Sequence, residues 1–399
     1  MTIPNITQLA KDIEAMTGDS LLLCAARRQT FASMIELRKA TLGVLWEPLA
    51  ASCKLEMSSE EALSNLLLVP EHKDKVLKMG LLGNTFAANY VVMRHFVQKA
   101  PIFTVSPALT QLLADTGVKD NVPVRYFAAP SATSYIEFEP PEGRVASEFK
   151  TYAEGKFRTC EGCYVQETKL NRLLDVSKAA REALELDPHA PVRIVNVSFT
   201  ASPVESVPGT GSVSGYFADD RIDYFNLFIQ QENEPLSSLV DRHVRFYAMR
   251  NAEEQQLSDS QFSAFNENFH RNLMHLCKIL FYLNVEKRQQ VTIKDASDLE
   301  KRIQGVAEKK QRKLVQQLSR VYDRIVVGPS TYTPISRRME SGDLPKGTRR
   351  PHYRRGYFGI RHVGSGQAKH TELVRVKEAL INEQLLKDAD LQTKDYEIR

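Results

Sequence analysis

Few residues of this chain stand at spacings that chemistry uses. Cys160 and Cys163 in CEGC have the spacing of half a zinc site. The other half is missing, because Cys24, Cys53 and Cys277 are scattered, and no βαβ pattern flanks the pair to suggest a redox centre. The pair reads as two small residues at a hairpin, with no metal and no cofactor. His270, His275 and Cys277 share an aromatic-rich segment. A five-residue step turns through ~140° on a helix, so the two histidines fall on different faces and read as core-edge residues.

Carboxylates on strands are how a nuclease holds Mg²⁺. Glu137 and Glu139 in YIEFE, and Asp219, Asp220 and Asp223 in DDRIDYF, are the candidates. Their spacing matches no two-metal pattern, so they read as solvent-facing acids, and no catalytic residue is assigned. GTGSVSG at 209–215 opens no helix, and GSGQAKHT at 364–371 lacks the glycine that a phosphate-binding loop carries before its lysine.

Positive charge remains. RRPHYRRGYFGIRHVGSGQAK at 349–369 holds six Lys or Arg and no acid. Arg349, Arg350, Arg354, Arg355, Arg361 and Lys369 suit phosphate contacts, and His352, Tyr353, Tyr357 and Phe358 suit stacking on unpaired bases. Gly356 and Gly359 permit close approach of a backbone or ligand. The competing reading is an edge strand whose arginines discourage pairing and whose aromatics face the core. Residues 301–370 carry 17 Lys or Arg against 4 Asp or Glu, although the whole chain is only +4, so the rest is net acidic. Such a split places any polyanion address on one part of the molecule.

The elements that must position these residues follow from pattern. With 399 residues, 42% of them hydrophobic and 26% charged, the chain can bury a core. Its start lacks the basic and apolar regions of a secretory signal, no apolar run reaches membrane-spanning length, and the cysteines are few and odd in number. The expectation is a soluble cytoplasmic protein with no membrane partner. Residues 1–120 read as helical, with helices in ITQLAKDIEAM, in NTFAANYVVMRHFVQKA and after the Ser58 or Ser59 capping signal. Residues 121–235 read as a mostly antiparallel sheet with strands in VPVRYF, TSYIEFE, RIVNVSF, GSVSGYF and IDYFNLFI, interrupted by a helix over about 167–186. Residues 236–320 return to helix, where Phe262, Phe265, Phe269, Leu273, Leu276, Leu280 and Leu283 form a core-facing stripe, and a polar helix spans about 294–320. Residues 321–399 form a basic C-terminal region that opens on a strand in YDRIVV. The class is α+β.

The C-terminal segment resembles the signature of a type V-A anti-CRISPR family. The resemblance rests on Arg350, Pro351, His352, Arg354, Arg355, Gly356, Tyr357, Phe358, Gly364, Gly366, Gln367, Ala368 and Lys369. Where the family tends to have His-Trp after the glycine, this chain has Tyr357-Phe358. No acid–base role is therefore carried over. The resemblance implies a non-enzymatic regulator encoded by a phage or plasmid and acting in the bacterial cytoplasm. It suppresses biogenesis of a type V CRISPR effector nuclease by engaging the N-terminal polypeptide as it is translated, with loss of the encoding mRNA. Its partners would be the nascent target polypeptide, the ribosome and mRNA or a host RNA-decay factor. The alternatives are a metal-dependent ribonuclease acting on the message and a generic RNA- or DNA-binding protein.

Overall fold

The computed structural model describes residues 39, 42–138, 150–153, 156–173, 176–203, 221–286, 290–307, 310–311, 314, 323–332, 352–364 and 369–381. ITQLAKDIEAM, GSVSGYF, Glu139, Asp219 and Asp220 lie outside them. In chain order the elements begin with α1 (Trp46–Lys54), α2 (Ser59–Leu67), α3 (Pro70–Lys78) and α4 (Gly83–Val97). β1 (Ile102–Val105), α5 (Pro107–Ala114), β2 (Gly117–Val118) and β3 (Thr133–Glu137) follow. Then come β4 (Lys150–Ala153), β5 (Lys156–Leu170), α6 (Lys178–Ala183), β6 (Val192–Pro203) and β7 (Arg221–Ile229). The C-terminal part holds α7 (Leu236–Gln255), α8 (Asp259–Val285), β8 (Gln290–Ile293), α9 (Asp295–Gln304), β9 (Arg324–Val327), β10 (His352–Arg354), β11 (Tyr357–Val363), β12 (His370–Val376) and β13 (Ala379–Ile381).

Helix starts follow their local chemistry. Ser58 and Glu61 form a reciprocal capping box, with Glu61 N–H donating to Ser58 Oγ at 3.2 Å and Ser58 N–H to Glu61 Oε2 at 3.0 Å. Ser258 and Gln261 start α8 in the same way. The aromatic stripe of α8 faces the core, where Phe225 and Phe269 stack at 4.1 Å.

The main sheet has the order β7-β6-β5-β3-β1-β9-β8, with β4 beside β5. Most of its pairs are antiparallel, and β1 is parallel to both β3 and β9. Strand period two sends neighbouring residues to opposite faces. Ile136, Val165, Val195, Val197, Phe225 and Leu227 join one core with α5, α7 and α8. Tyr135 and Tyr164, paired at 4.8 Å between ring centroids, face a second core built from the N-terminal helices. The class is α+β, with helices at the N-terminal side and the mostly antiparallel sheet in the middle.

Several local expectations are corrected. IFTV is strand β1 within the stretch read as helical, a four-residue run buried on both faces and therefore without alternation. VPVRYF contains a 3-10 turn at Val124–Tyr126, not a strand. The expected helix over 167–186 shrinks to α6, because β5 pairs with β6 as far as Leu170 and cross-strand pairing overrides local helix propensity. Of the polar helix, α9 spans Asp295–Gln304. Cys160 and Cys163 sit inside β5, around an irregularity between Cys160 and Gly162, and both are buried. Glu137 is not solvent-facing: it is fully buried on β3 and accepts a hydrogen bond from Thr104 Oγ1 at 2.8 Å.

Candidate functional site

The basic C-terminal segment is docked onto the body. β11 pairs antiparallel with β12 and parallel with β2, and β10 pairs with β13. Phe358 is fully buried, its ring against Phe281 of α8 at 5.6 Å. This corrects the base-stacking expectation for Phe358: strand alternation turns the residue toward α8, so its ring is spent on the core. Tyr357 lies on the opposite face, beside Gly359, where an added Cβ would stand 3.1 Å from the tyrosine ring. Lys119 Nζ covers that ring at 4.7 Å.

Arg355 is occupied too. Its Nε donates to the Asp115 carbonyl and its Nη2 to the Ala114 carbonyl, each at 2.6 Å. Lys278 Nζ reaches the same helix end, donating to the Leu113 carbonyl at 2.9 Å. The last carbonyls of α5 thus receive two cations, the favourable sign for the negative end of a helix. Burial, and then the nearby Arg355, push the Lys278 pKa down to about 8. The close approach expected at Gly356 is made by the chain itself, since an added Cβ would meet Glu378 N at 3.2 Å and the Val376 carbonyl at 3.3 Å.

Arg354, Arg361 and Lys369 are exposed. His352 and Tyr353 stand on β10. Arg349, Arg350 and Gln367 lie outside the described residues. Among the described residues of the predicted set, the structure thus leaves Arg354, Arg361 and Lys369 at the surface, buries Phe358 and ties the exposed Arg355 to the end of α5.

A second feature was not foreseen. A cleft of about 1370 Å³ opens on the face of the sheet that carries the N-terminal helices. On this face, positions 164, 166, 168 and 170 of β5 run Tyr, Gln, Thr, Leu, and positions 222, 224, 226 and 228 of β7 run Ile, Tyr, Asn, Phe. Tyr164, Ile222 and Tyr224 belong to the core of the N-terminal helices. At the other end, Leu170, Ile194 and Phe228 join a small cluster with α6 residue neighbours Leu184 and Leu186. Between the two apolar clusters runs a polar stripe of Gln166, Thr168, Asn196 and Asn226, and it floors the cleft. Ser198 Oγ donates to Asn196 Oδ1 at 2.9 Å, and Asn196 Nδ2 donates to Asn226 Oδ1 at 3.2 Å.

One wall comes from α2 and α4, through Ser59, Phe86 and Asn89, and the other from α6 and α7, through Ala180, Arg242 and Phe246. The Oδ1 of Asn89 is buried with no hydrogen-bond partner among the described residues, as is Arg242 Nε. An orphan acceptor on one wall and an orphan donor on the other are unusual in a folded protein. Five carboxylates and four arginines border the cleft, so its charge is balanced and unlike a polyanion groove.

Among the described residues no group of three or more His, Cys, Asp or Glu is placed to hold a metal ion. Burial raises the Cys160 and Cys163 thiol pKa values well above the usual range, which makes them unreactive at neutral pH. Nor is any helix among the described residues long and apolar enough to cross a membrane.

The model of the AcrVA2-like family, described as the anti-CRISPR type V subtype A2 family, matches residues 103–376. The chain belongs to this family. It is similar to a solved structure described as the crystal structure of AcrVA2, at 9% identity and a TM-score of 0.40, over 87% of this chain and 96% of that one. Among curated proteins there is no match. The segment matched to the AcrVA2-like family runs from β1 to the last residue of β12, which takes in the floor of the cleft, its α6 and α7 wall and the docked signature. The wall from α2 and α4 lies before it.

Sequence reasoning missed the cleft residues because polar side chains inside strands look like solvent-facing positions. One signal was present: IVNVSF interrupts a β-branched run with an asparagine and a serine two residues apart, on one face.

Proposed function

We propose that this AcrVA2-like protein binds an N-terminal segment of its target while that polypeptide is being translated, and that binding leads to loss of the translating mRNA. The target is a type V CRISPR effector nuclease or another host protein. Family membership supports the anti-CRISPR setting. The cleft carries the peptide part of the reading. A polypeptide main chain offers N–H donors and C=O acceptors in alternation, which suits a groove with a polar floor, an orphan acceptor, an orphan donor and apolar clusters at both ends. Balanced charge favours such a ligand over nucleic acid in the cleft itself. The exposed Arg354, Arg361 and Lys369 then supply a separate surface for ribosome, mRNA or a decay factor.

The test places the first few dozen codons of the target before a reporter. Synonymous recoding keeps the peptide, and the reporter message falls. A compensated frameshift keeps nearly all nucleotides but replaces the peptide, and the message persists. Loss that follows the nucleotides instead makes this an RNA-sequence reader and removes the nascent-chain reading.

A further inference from the structure

Arg94 on α4 is 2% exposed and borders the cleft. With the Gln166 amide oxygen turned toward it, Nε and Nη1 donate to that oxygen at 2.8 and 2.6 Å. The opposite amide orientation would set donors against donors, so the hydrogen-bond network assigns this one. The contact also joins the N-terminal helices to β5. It leaves the Nη2 donors. The carboxylate nearest to them among the described residues is Glu56 Oε1 at 3.9 Å, beyond hydrogen-bond reach, on a side chain that is 60% exposed.

A guanidinium taken out of water costs several kcal/mol unless a charge and hydrogen bonds compensate it. Here the close acceptor is a neutral amide. Desolvation by burial lowers the arginine's pKa, and the opposing charges of Tyr90, Glu56 and Cys53 do not offset it. Merely tying α4 to the sheet would not call for a charge, since a neutral donor meets an amide oxygen equally well. A guanidinium is instead the group that takes a carboxylate through paired N–H donors.

We infer that Arg94 is a carboxylate anchor in the cleft, and that the bound segment presents an aspartate or glutamate side chain to it. The inference deepens the peptide reading and rests on it for the identity of the bearer. The carboxylate itself has two possible sources, an acidic side chain or a free chain end. A polypeptide still attached to tRNA has no free C-terminus, which favours the side chain. The site thereby gains a residue preference: one acidic position, flanked by main chain that meets the polar stripe and by apolar residues at its ends.

The experiment uses the full chain and small probes. N-acetyl-glutamate N-methylamide and its aspartate counterpart carry the side-chain acid, the glutamine and asparagine analogues are neutral isosteres, and N-acetyl-alanine carries a free terminal carboxylate. Binding is followed by the Nε–H resonance of Arg94 and by melting temperature. The side-chain acids are expected to shift the resonance saturably, with the neutral isosteres at least tenfold weaker. Arg94→Gln should abolish the melting-temperature response. Because that variant can fail to fold, Gln166→Glu serves beside it. It sets a carboxylate of the chain's own against Arg94, so it should keep or raise the melting temperature while losing the response to acidic probes. Equal binding of acids and amides, or an unchanged response in Gln166→Glu, overturns the anchor. Binding by N-acetyl-alanine alone overturns the side-chain assignment. A failed reporter test with acidic probes still bound removes the nascent-peptide reading and leaves the anchor standing. Failed probes with a successful reporter test do the reverse.

Discussion

The hydroxyl of Tyr247 accepts the N–H of Asn226 at 2.9 Å and donates to the Asn226 carbonyl at 3.0 Å. One turn earlier on α7, His243 Nε2 accepts the N–H of Phe228 at 3.0 Å. β7 is the outermost strand of the main sheet on this side. Side chains four apart on a helix are separated by about 6 Å along its axis, close to the ~6.7 Å between alternate residues of a strand. Helix α7 can therefore satisfy successive outward-facing groups of this edge, a way of keeping it from pairing with other chains.

Tyr247→Phe removes both bonds to Asn226 and leaves a donor and an acceptor on that edge. The expected loss is about 1–3 kcal/mol in urea unfolding. Self-association measured by sedimentation should rise with the opened edge. Unchanged stability would mean that water replaces the hydroxyl at no cost.

The arginines of the basic C-terminal segment should separate by phenotype. Arg355→Ala loses its bonds to the α5 carbonyls and a favourable helix-end charge, and should cost about 1 kcal/mol by thermal unfolding. Arg354→Glu with Arg361→Glu alters only exposed positions and should melt like the parent. If the basic surface serves message loss, the second variant loses reporter knock-down while its stability holds. Retained knock-down would reduce these arginines to solvation.

Acid should destabilise the fold through its buried histidines. Burial pushes His95 and His275 down to about 3 and His243 down to about 4, from an ordinary value of 6.5. His243 Nδ1 faces the Leu239 carbonyl and Nε2 accepts from Phe228, so the ring is neutral with its proton on Nδ1. Between these values and 6.5 the unfolded chain binds protons that the native chain does not. Stability is thus full above about pH 6.5 and falls progressively as pH drops toward 4. Denaturant unfolding at pH 7.5, 6, 5 and 4.5 should show a steady decline, and a flat profile would contradict neutral buried histidines.

Gly162 of β5 pairs with Glu137 of β3, with no room for a side chain. A Cβ there would lie 2.2 Å from the Ile136 carbonyl oxygen, a backbone atom that cannot turn away. Gly162→Ala should cost at least the 1–3 kcal/mol typical of overpacking and lower the soluble yield. Wild-type stability by urea unfolding would show that the sheet gives way there freely.

The segments that declared themselves in sequence are those whose signal is local. The capping serines, the aromatic stripe of α8 and the alternating runs of β3, β6 and β7 each satisfy a rule written within a few residues, and the family signature is likewise contiguous. The main errors came where distant chain decides. Strand β5 takes residues with helical leanings because β6 pairs with them. Glu137 is buried because Thr104, 33 residues away in sequence, lies beside it. Phe358 and Arg355 sit in a segment whose composition suits a ligand, yet α8 and the end of α5 consume them. The cleft is wholly a product of tertiary structure. Its floor is polar on one face of strands whose other face is core, and alternation alone cannot distinguish a polar residue facing water from one facing a groove. Only the placing of α4 and α7 over that face makes Gln166, Asn196 and Asn226 the floor of a cleft and brings Arg94 against it, because burial is set by what packs across a residue and not by the residue itself.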